Sequence, residues 1–177
     1  MFEHQDTQTD LLEQIEDLIH EKRYAQLRDL LVPMEAPDIA QLCADLDEKT
    51  LPLVFRLLPK EQAAEVFVEL DSEEQEMLIQ SFSNTELKEV LDELYLDDTV
   101  DIIEDMPANV VSRILRNTDA STRSQINQLL NYPKDSAGSI MTTEFVFLHP
   151  DATVEESFAR IRSVGIDKET IYTCYVT

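Results

Sequence analysis

The chain has 177 residues, of which 43% are hydrophobic and 29% are charged, a composition typical of a globular protein and not of a disordered one. Its formal net charge of −23 argues against nucleic-acid binding, because a surface that binds phosphates must be basic. No apolar run approaches the length of a membrane span, so we expect no direct membrane insertion of this chain.

Residues 1–34 predict a helical hairpin that caps one end of a larger array. Residues 1–9 are polar and are expected to be unstructured. After them, apolar residues at helical spacing predict one helix over residues 11–19 and a second over residues 24–31. An atypical terminal repeat of this kind is expected at the end of a stacked helical array.

Residues 35–130 divide into eight consecutive blocks of 12 residues without an insertion or deletion. Positions five, eight, nine and twelve of the blocks are mostly apolar, which is the i, i+3, i+4, i+7 pattern of one helical face. Short polar residues that can accept from a first helical turn open four blocks: Asp47, Asp71, Ser83 and Asp119. Each block therefore predicts one short helix, and two blocks predict a helical hairpin.

A hairpin of 24 residues cannot bury its own apolar face, whereas stacked neighbours bury their faces together. The predicted fold class is therefore mainly α, a superhelical α-solenoid of short helical hairpins over residues 35–130. A plain bundle of amphipathic helices is the alternative.

An acidic stretch lies inside this array. Residues 61–105 carry sixteen Asp and Glu residues and a single cation, Lys88. Divalent cations or a basic partner relieve the repulsion between crowded carboxylates. The alternative is a solvated acidic face that keeps the protein soluble.

Within that stretch, Asp97 and Asp101 stand four residues apart and share a helix face. Their carboxylates can hold one hard cation directly or through its waters. Alternatively, these acids complement the helix dipole, or Asp97 caps the helix. No nucleophile, histidine or phosphate-binding loop accompanies the pair, so we do not expect an enzyme.

After Leu130 the pattern changes. Residues 131–143 break the 12-residue register and predict a linker, and residues 144–177 predict a strand, a helix and a strand. Thr153 and Glu156 offer a capping box to that helix, which is expected to carry Val154, Phe158 and Ile161 inward. A strand, a helix and a strand amount to half a domain, whose last strand would be an open edge.

Three segments together resemble one family. The first is Tyr132-Pro133-x-Asp135-Ser136-Ala137-Gly138-x-Ile140-Met141-Thr142-Thr143-Glu144-Phe145-Val146, which is similar to the interdomain junction of the MgtE family of magnesium transporters. The others are Leu57-Leu58-Pro59-x-x-x-Ala63-Ala64-Glu65 and Asp97-Asp98-x-x-Asp101, which resemble the N-terminal domain of that family. From Met141 onward the chain resembles the first half of a CBS domain, so residues 144–177 are expected to be a partial CBS domain.

The resemblance implies a regulatory region on the cytoplasmic side of the cell membrane, below the pore of a homodimeric magnesium transporter. In the family, Mg²⁺ bridges the N-terminal and CBS domains and keeps the pore closed. Carried over by position, the metal ligands are Glu65, Asp97, Asp101 and a backbone oxygen of Ser139. The expected partners are the CBS and transmembrane domains of the full-length protein, and the chain itself is expected not to transport.

A protein-binding scaffold is the rival hypothesis, because similar helical arrays occur in the flagellar switch protein FliG. In that case the acidic array docks a basic partner, and metal binding is incidental. The linker motif favours the magnesium sensor, since a scaffold has no reason to lead into a CBS-like strand and helix.

Overall fold

The computed structural model of the protein describes residues 2–134, 136–139, 141–168 and 170–177. The described chain is mainly helical and has a small parallel sheet close to its C-terminal end. In chain order the elements are α1 (Phe2–His20), α2 (Tyr24–Leu31), α3 (Ala36–Cys43), α4 (Thr50–Phe55), α5 (Lys60–Glu69), α6 (Ser72–Ser81), α7 (Asn84–Leu91), α8 (Leu96–Asp105), α9 (Ala108–Asn117), α10 (Ala120–Leu129), β1 (Phe145–Leu148), α11 (Val154–Val164) and β2 (Thr170–Val176).

The predicted N-terminal hairpin is present as α1 and α2. The expectation that residues 1–9 are unstructured is wrong, because α1 begins at Phe2, while Met1 lies outside the described residues. This segment contains no Gly or Pro, and a helix nucleated by the apolar residues after it extends at little cost into such a sequence. The chain leaves α1 through Lys22, whose φ of 57° is the left-handed conformation common after helices.

Each of the eight 12-residue blocks contains one helix, α3 to α10 in order, which confirms the prediction from the register. In the first four blocks the residues at positions eight and nine are all buried: Leu42, Cys43, Val54, Phe55, Val66, Phe67, Leu78 and Ile79. At position five, Gln75 and Thr99 are buried polar residues. Each side chain donates to a backbone carbonyl, Gln75 to that of Phe67 and Thr99 to that of Tyr95.

The polar residues that open the blocks do not all act as helix caps. Asp47 accepts from the N–H of Thr50 at 2.7 Å, and Ser83 forms a complete capping box with Glu86. The capping expected of Asp71 is wrong, because its side chain makes no cap hydrogen bond to α6. The first turn of α6 also carries Glu73 and Glu74, whose charges complement the positive end of the helix dipole.

The residues form two compact units, one running up to Leu94 together with Asp105–Asp119, the other comprising Tyr95–Glu104 and Ala120–Thr177. In the first unit, α3 contacts α5, α5 contacts α7, and α7 contacts α9, so alternate helices stack in series. This is the packing of an α-solenoid and confirms the predicted fold class for the array. The domain boundaries at residues 34, 130 and 143 follow the repeat pattern and stay a prediction.

Aromatic rings and one arginine side chain join helices of the first unit. The ring of Phe55 on α4 lies 6.1 Å from that of Phe67 and 5.5 Å from that of Phe82, measured between centroids. From α9, the guanidinium of Arg113 donates to the carbonyls of Ile79 and Phe82. These carbonyls end α6 and lack partners within their own helix, so Arg113 replaces the missing hydrogen bonds.

The second unit contains the predicted strand, helix and strand, with β1 and β2 paired in parallel. Thr153 and Glu156 form the predicted capping box of α11. The expected inward position of Val154 and Phe158 is wrong, because their side chains are 73% and 52% exposed. A two-stranded sheet is too narrow to cover a whole helix face. Of the three apolar residues expected to point inward, only Ile161 is half-buried.

Within the described part of the chain, no helix combines the length and the apolarity that a membrane crossing requires.

Candidate metal site

Helix α8 carries two of the predicted metal ligands, and its buried face fixes the direction in which they project. Val100 and Ile103 are among its buried residues. Asp97 is half-buried, with its Oδ1 atom inside the protein, whereas Asp101 is exposed. Glu104 stands seven residues after Asp97, so Asp97, Asp101 and Glu104 follow one face at i, i+4 and i+7.

The electrostatics of α8 favour a cation. The helix contains five acidic residues and no Lys or Arg. Asp97 and Asp98 lie in its first turn, where the positive end of the helix dipole compensates part of their charge. The alternative that Asp97 caps the helix is wrong, because α8 begins at Leu96 and Asp97 therefore lies inside the first turn.

Glu144 takes the place of a helix cap at the start of α8. Its Oε2 atom accepts the N–H of Leu96 at 2.7 Å, in a partly buried contact between residues 48 positions apart. This residue is not identified by the sequence analysis, because helix caps are predicted from residues next to the helix start. Glu144 lies in the segment after the array.

The linker is held at the other end of α8 as well. The Nζ atom of Lys134 lies 3.6 Å from a carboxylate oxygen of Glu104. Ser139 is half-buried and lies midway between Lys134 and Glu144, so its backbone belongs to a segment whose two ends meet the two ends of α8. Asp135 and Ile140, which also belong to the junction motif, lie outside the described residues.

Two local contacts shape the linker around Ser139. The carbonyl of Ser136 accepts from the N–H of Ser139 at 3.1 Å and from its Oγ at 2.9 Å. The ring of Tyr132 lies against the backbone of Gly138, where a Cβ atom would overlap the ring. Gly138 therefore permits a close approach that a residue with a side chain would block.

Glu65, the remaining predicted ligand, lies on α5 in the first unit, whereas Asp97, Asp101 and Ser139 belong to the second. Its neighbours Ala64 and Val66 are buried, and Glu65 itself is exposed. Asp97, Asp101 and Ser139 thus belong to one unit, and Glu65 belongs to the other.

The donor set fits a hard divalent cation. Carboxylate and carbonyl oxygens are the ligands that Mg²⁺ prefers, and this ion keeps several waters when a protein supplies few ligands. Among the described residues, no group of three or more His, Cys, Asp or Glu side chains is arranged to hold a metal ion. Asp97 and Asp101 are thus suited to bind a hydrated ion weakly, and further ligands would be needed for tight binding.

Sequence comparisons agree with the resemblance of the motifs. Residues 34–135 match the family model described as the MgtE intracellular N domain. The protein named magnesium transporter MgtE from Thermus thermophilus is 34% identical over 166 residues, which cover 92% of this chain and 37% of that protein. The protein of the same name from Bacillus subtilis is 24% identical over 170 residues, covering 96% and 38%. The chain thus spans little more than a third of these relatives.

Solved structures resemble this chain over nearly its whole length. A crystal structure of the cytosolic domain of the Mg²⁺ channel MgtE in complex with ATP superposes with a TM-score of 0.84 at 33% identity. That match covers 94% of this chain and 68% of the other. A crystal structure of the soluble part of a magnesium transporter gives a TM-score of 0.78 at 23% identity, covering 96% and 67%, and shares the fold.

Proposed function

This chain belongs to the MgtE intracellular N domain family, and from that membership we propose that it is the magnesium-sensing regulatory region of an MgtE-type magnesium transporter. The region lies on the cytoplasmic side of the membrane and gates the pore through Mg²⁺ bound between the N-terminal and CBS domains. Its partners are the CBS and transmembrane domains of the full-length homodimer. The sequence relatives are named magnesium transporters and one solved relative is the cytosolic domain of a Mg²⁺ channel, which supports a regulatory role in transport and not an enzymatic role.

The observation that carries this proposal is the meeting of the acidic helix α8 with the junction segment. Asp97, Asp101 and Glu104 follow one helix face, and Lys134 reaches that face at Glu104. Glu144 contacts the beginning of the same helix. The carboxylates of α8 and the backbone around Ser139 thus belong to one compact unit, as a shared metal site requires.

In the proposed site, Asp97 and Asp101 hold Mg²⁺ through their carboxylates, and Ser139 contributes its backbone carbonyl. The family resemblance also assigns Glu65, an exposed acid on α5, as a metal ligand. The bound ion supplies positive charge that neutralises neighbouring acids, so a compact arrangement of acidic modules becomes more stable when Mg²⁺ is plentiful. The CBS module that faces these residues in the full-length protein provides the remaining ligands.

Calorimetric titration with Mg²⁺ tests the proposal on this chain and on the full cytosolic region. We expect the double variant Asp97→Asn/Asp101→Asn to bind Mg²⁺ at least about tenfold more weakly, because each lost carboxylate removes a direct or water-mediated ligand. The matched control is Glu13→Gln/Asp17→Asn, which removes two exposed acids at the same spacing from α1.

Equal Mg²⁺ binding by the parent protein and the Asp97/Asp101 variant would refute the metal-sensor proposal. Binding of a basic protein that is unaffected by Mg²⁺ and by these substitutions would favour the acidic scaffold in its place. In the full-length transporter, the same double variant is expected to keep transporting at internal Mg²⁺ concentrations that close the parent pore.

A further inference from the structure

The first backbone N–H of α8 is satisfied from a distant part of the chain. A helix leaves its first four N–H groups without partners inside the helix, and a short polar side chain just before it normally accepts one of them. Tyr95 precedes α8, and its side chain is a phenol and not a short polar group. Its backbone carbonyl accepts from the N–H of Thr99 at 3.1 Å. The N–H of Leu96 is bound by Glu144 at 2.7 Å.

Glu144 is also joined directly to the β1–α11–β2 segment. Its own N–H donates to Oγ1 of Thr142 at 3.1 Å, and the next residue, Phe145, begins β1. The ring of Phe145 packs edge-on against Tyr175 of β2 with 5.2 Å between the centroids. Glu144 therefore connects the start of α8 to the residue at which β1 begins.

The contact lies beside the candidate metal ligands. Asp97 follows Leu96 directly, and Asp101 lies one turn further along α8. The two residues of α8 that contact the segment after the array, Leu96 and Glu104, are about 12 Å apart along the helix axis. Three carboxylates, those of Asp97, Asp98 and Glu144, are thus drawn to the same positive helix end, where they also repel one another.

We propose that Glu144 is a positioning residue that couples cation binding on α8 to the β1–α11–β2 segment. A divalent cation at Asp97 and Asp101 neutralises the charge that repels Glu144, so its hydrogen bond to Leu96 strengthens when the ion binds. Since coupling between two events is reciprocal, the hydrogen bond in turn favours the ion. Glu144 acts through α8 and is not itself a ligand. This inference rests on the proposed function, because it assigns the path by which an ion on α8 is sensed elsewhere.

Two substitutions separate the charge of Glu144 from its contact. In Glu144→Gln the amide oxygen still accepts the hydrogen bond but the charge is gone, whereas Glu144→Ala removes both. Without Mg²⁺, we expect the amide hydrogen of Leu96 to exchange about tenfold faster in Glu144→Ala than in the parent, because a charge-assisted hydrogen bond is lost. In Glu144→Gln the exchange rate is expected to stay within about threefold of the parent, because a neutral hydrogen bond remains.

The second readout is the protection that Mg²⁺ adds to the amides of β1 and α11, followed by hydrogen exchange on the full cytosolic region. We expect both Glu144→Ala and Glu144→Gln to lose most of this added protection, because neither side chain carries the charge on which the bound ion acts. Glu155→Ala, which removes an exposed acid from the first turn of α11, is the matched control and is expected to behave like the parent.

The outcomes distinguish the two proposals. If Mg²⁺ adds no protection in the parent protein and does not bind, the sensor function fails and the coupling fails with it. If Mg²⁺ binds the parent and Glu144→Ala still transmits full protection to β1 and α11, the coupling role of Glu144 is refuted while the sensor function stands. Loss of transmission in both variants, while the Leu96 amide of Glu144→Gln keeps its protection without Mg²⁺, supports the coupling. Full transmission in Glu144→Gln refutes the role assigned to the charge of Glu144.

Discussion

At the scale of single residues, the linker depends on a contact between a glycine and an aromatic ring. Gly138 has an ordinary negative φ, so its backbone conformation is open to other residues. What excludes a side chain is the ring of Tyr132, whose inner atoms occupy the place of a Cβ atom. The whole ring must move to admit even a methyl group, because inner ring atoms cannot swing away independently.

Gly138→Ala is therefore expected to lower the free energy of unfolding by about 1–3 kcal/mol, the usual effect of overpacking a close contact. In a Tyr132→Ala background the same substitution is expected to be neutral or slightly stabilising, since alanine restricts the unfolded chain at a compatible φ. Urea unfolding of the four proteins measures the interaction. Equal effects of Gly138→Ala in both backgrounds would contradict the steric explanation.

Packing also lowers the reactivity of a buried cysteine, Cys43. Burial and, to a lesser degree, the nearby carboxylate of Glu74 raise the pKa of the Cys43 thiol to about 12. A thiol with this pKa is almost fully protonated at neutral pH, and the thiolate is the reactive form. We expect Cys43 to resist alkylation by iodoacetamide in the folded protein and to react in urea. Rapid labelling of Cys43 under native conditions would contradict its buried position.

At the scale of the helical element, the start of α7 combines a cap with an ion pair. Glu86 accepts from the N–H of Ser83 at 2.7 Å and from Nε of Arg56 at 2.7 Å. Arg56 and then Ser83 hold the pKa of Glu86 at about 2, well below its ordinary value of 4.5. One carboxylate thus stabilises the first turn of α7 and ties α7 to the end of α4.

The lowered pKa of Glu86 makes its contribution depend on pH. Because the folded protein binds this proton less tightly than the unfolded chain, the stabilisation is complete above about pH 5 and is lost as pH falls towards 2. The side chain is 36% exposed, so water screens the pair and we expect Glu86→Gln to lower the free energy of unfolding by only about 1 kcal/mol at pH 7.

The difference between Glu86→Gln and the parent is expected to shrink when urea unfolding is repeated between pH 5 and pH 2.5. Glu89→Gln serves as the control, because its ion pair with Lys60 is longer, at 3.3 Å, and includes no helix cap. A difference that stays constant across this pH range would show that Glu86 acts through packing and not through its charge.

Elements that depend on local features can be predicted from the sequence, and contacts between distant residues cannot. Helices α3 to α10 follow from the block register because their apolar spacing and their starts are local features. The hydrogen bond from Leu96 to Glu144 joins residues 48 positions apart, so no local pattern announces it. The exposed positions of Val154 and Phe158 depend on how much sheet is present to cover them, which periodicity alone does not specify.

Some residues of the candidate metal site can likewise be predicted from sequence spacing, and others cannot. Asp97 and Asp101 are accessible to prediction because their spacing places them on one helix face. The assignment of Ser139 rests on a resemblance, since a backbone carbonyl leaves no trace in residue type. Its place in a linker held by Lys134 and Glu144 emerges only from the fold.

At the scale of the whole molecule, the net charge of −23 opposes folding through repulsion between carboxylates. Monovalent salt screens this repulsion without binding to a site, because the Debye length falls from about 30 Å at 0.01 M to about 10 Å at 0.1 M. A divalent cation screens it too, but it also binds preferentially where carboxylates are held close together.

Thermal unfolding separates the two effects. We expect NaCl to raise the melting temperature by a few degrees and MgCl₂ at equal ionic strength to raise it further, because a ligand that binds only the folded state stabilises it. The additional increase is expected to vanish in Asp97→Asn/Asp101→Asn, while the NaCl effect remains. Identical increases with the two salts in the parent protein would contradict specific binding.

The constant block length of the array also constrains how such a protein changes over evolutionary time. An insertion of one residue inside a helix rotates the apolar positions that follow it in that helix by about 100°, away from their stacking partners. Gain or loss of 24 residues, one hairpin, leaves each remaining helix facing the same kind of neighbour. Gain or loss of a whole hairpin is therefore expected to be tolerated, and a single-residue insertion within a helix is not.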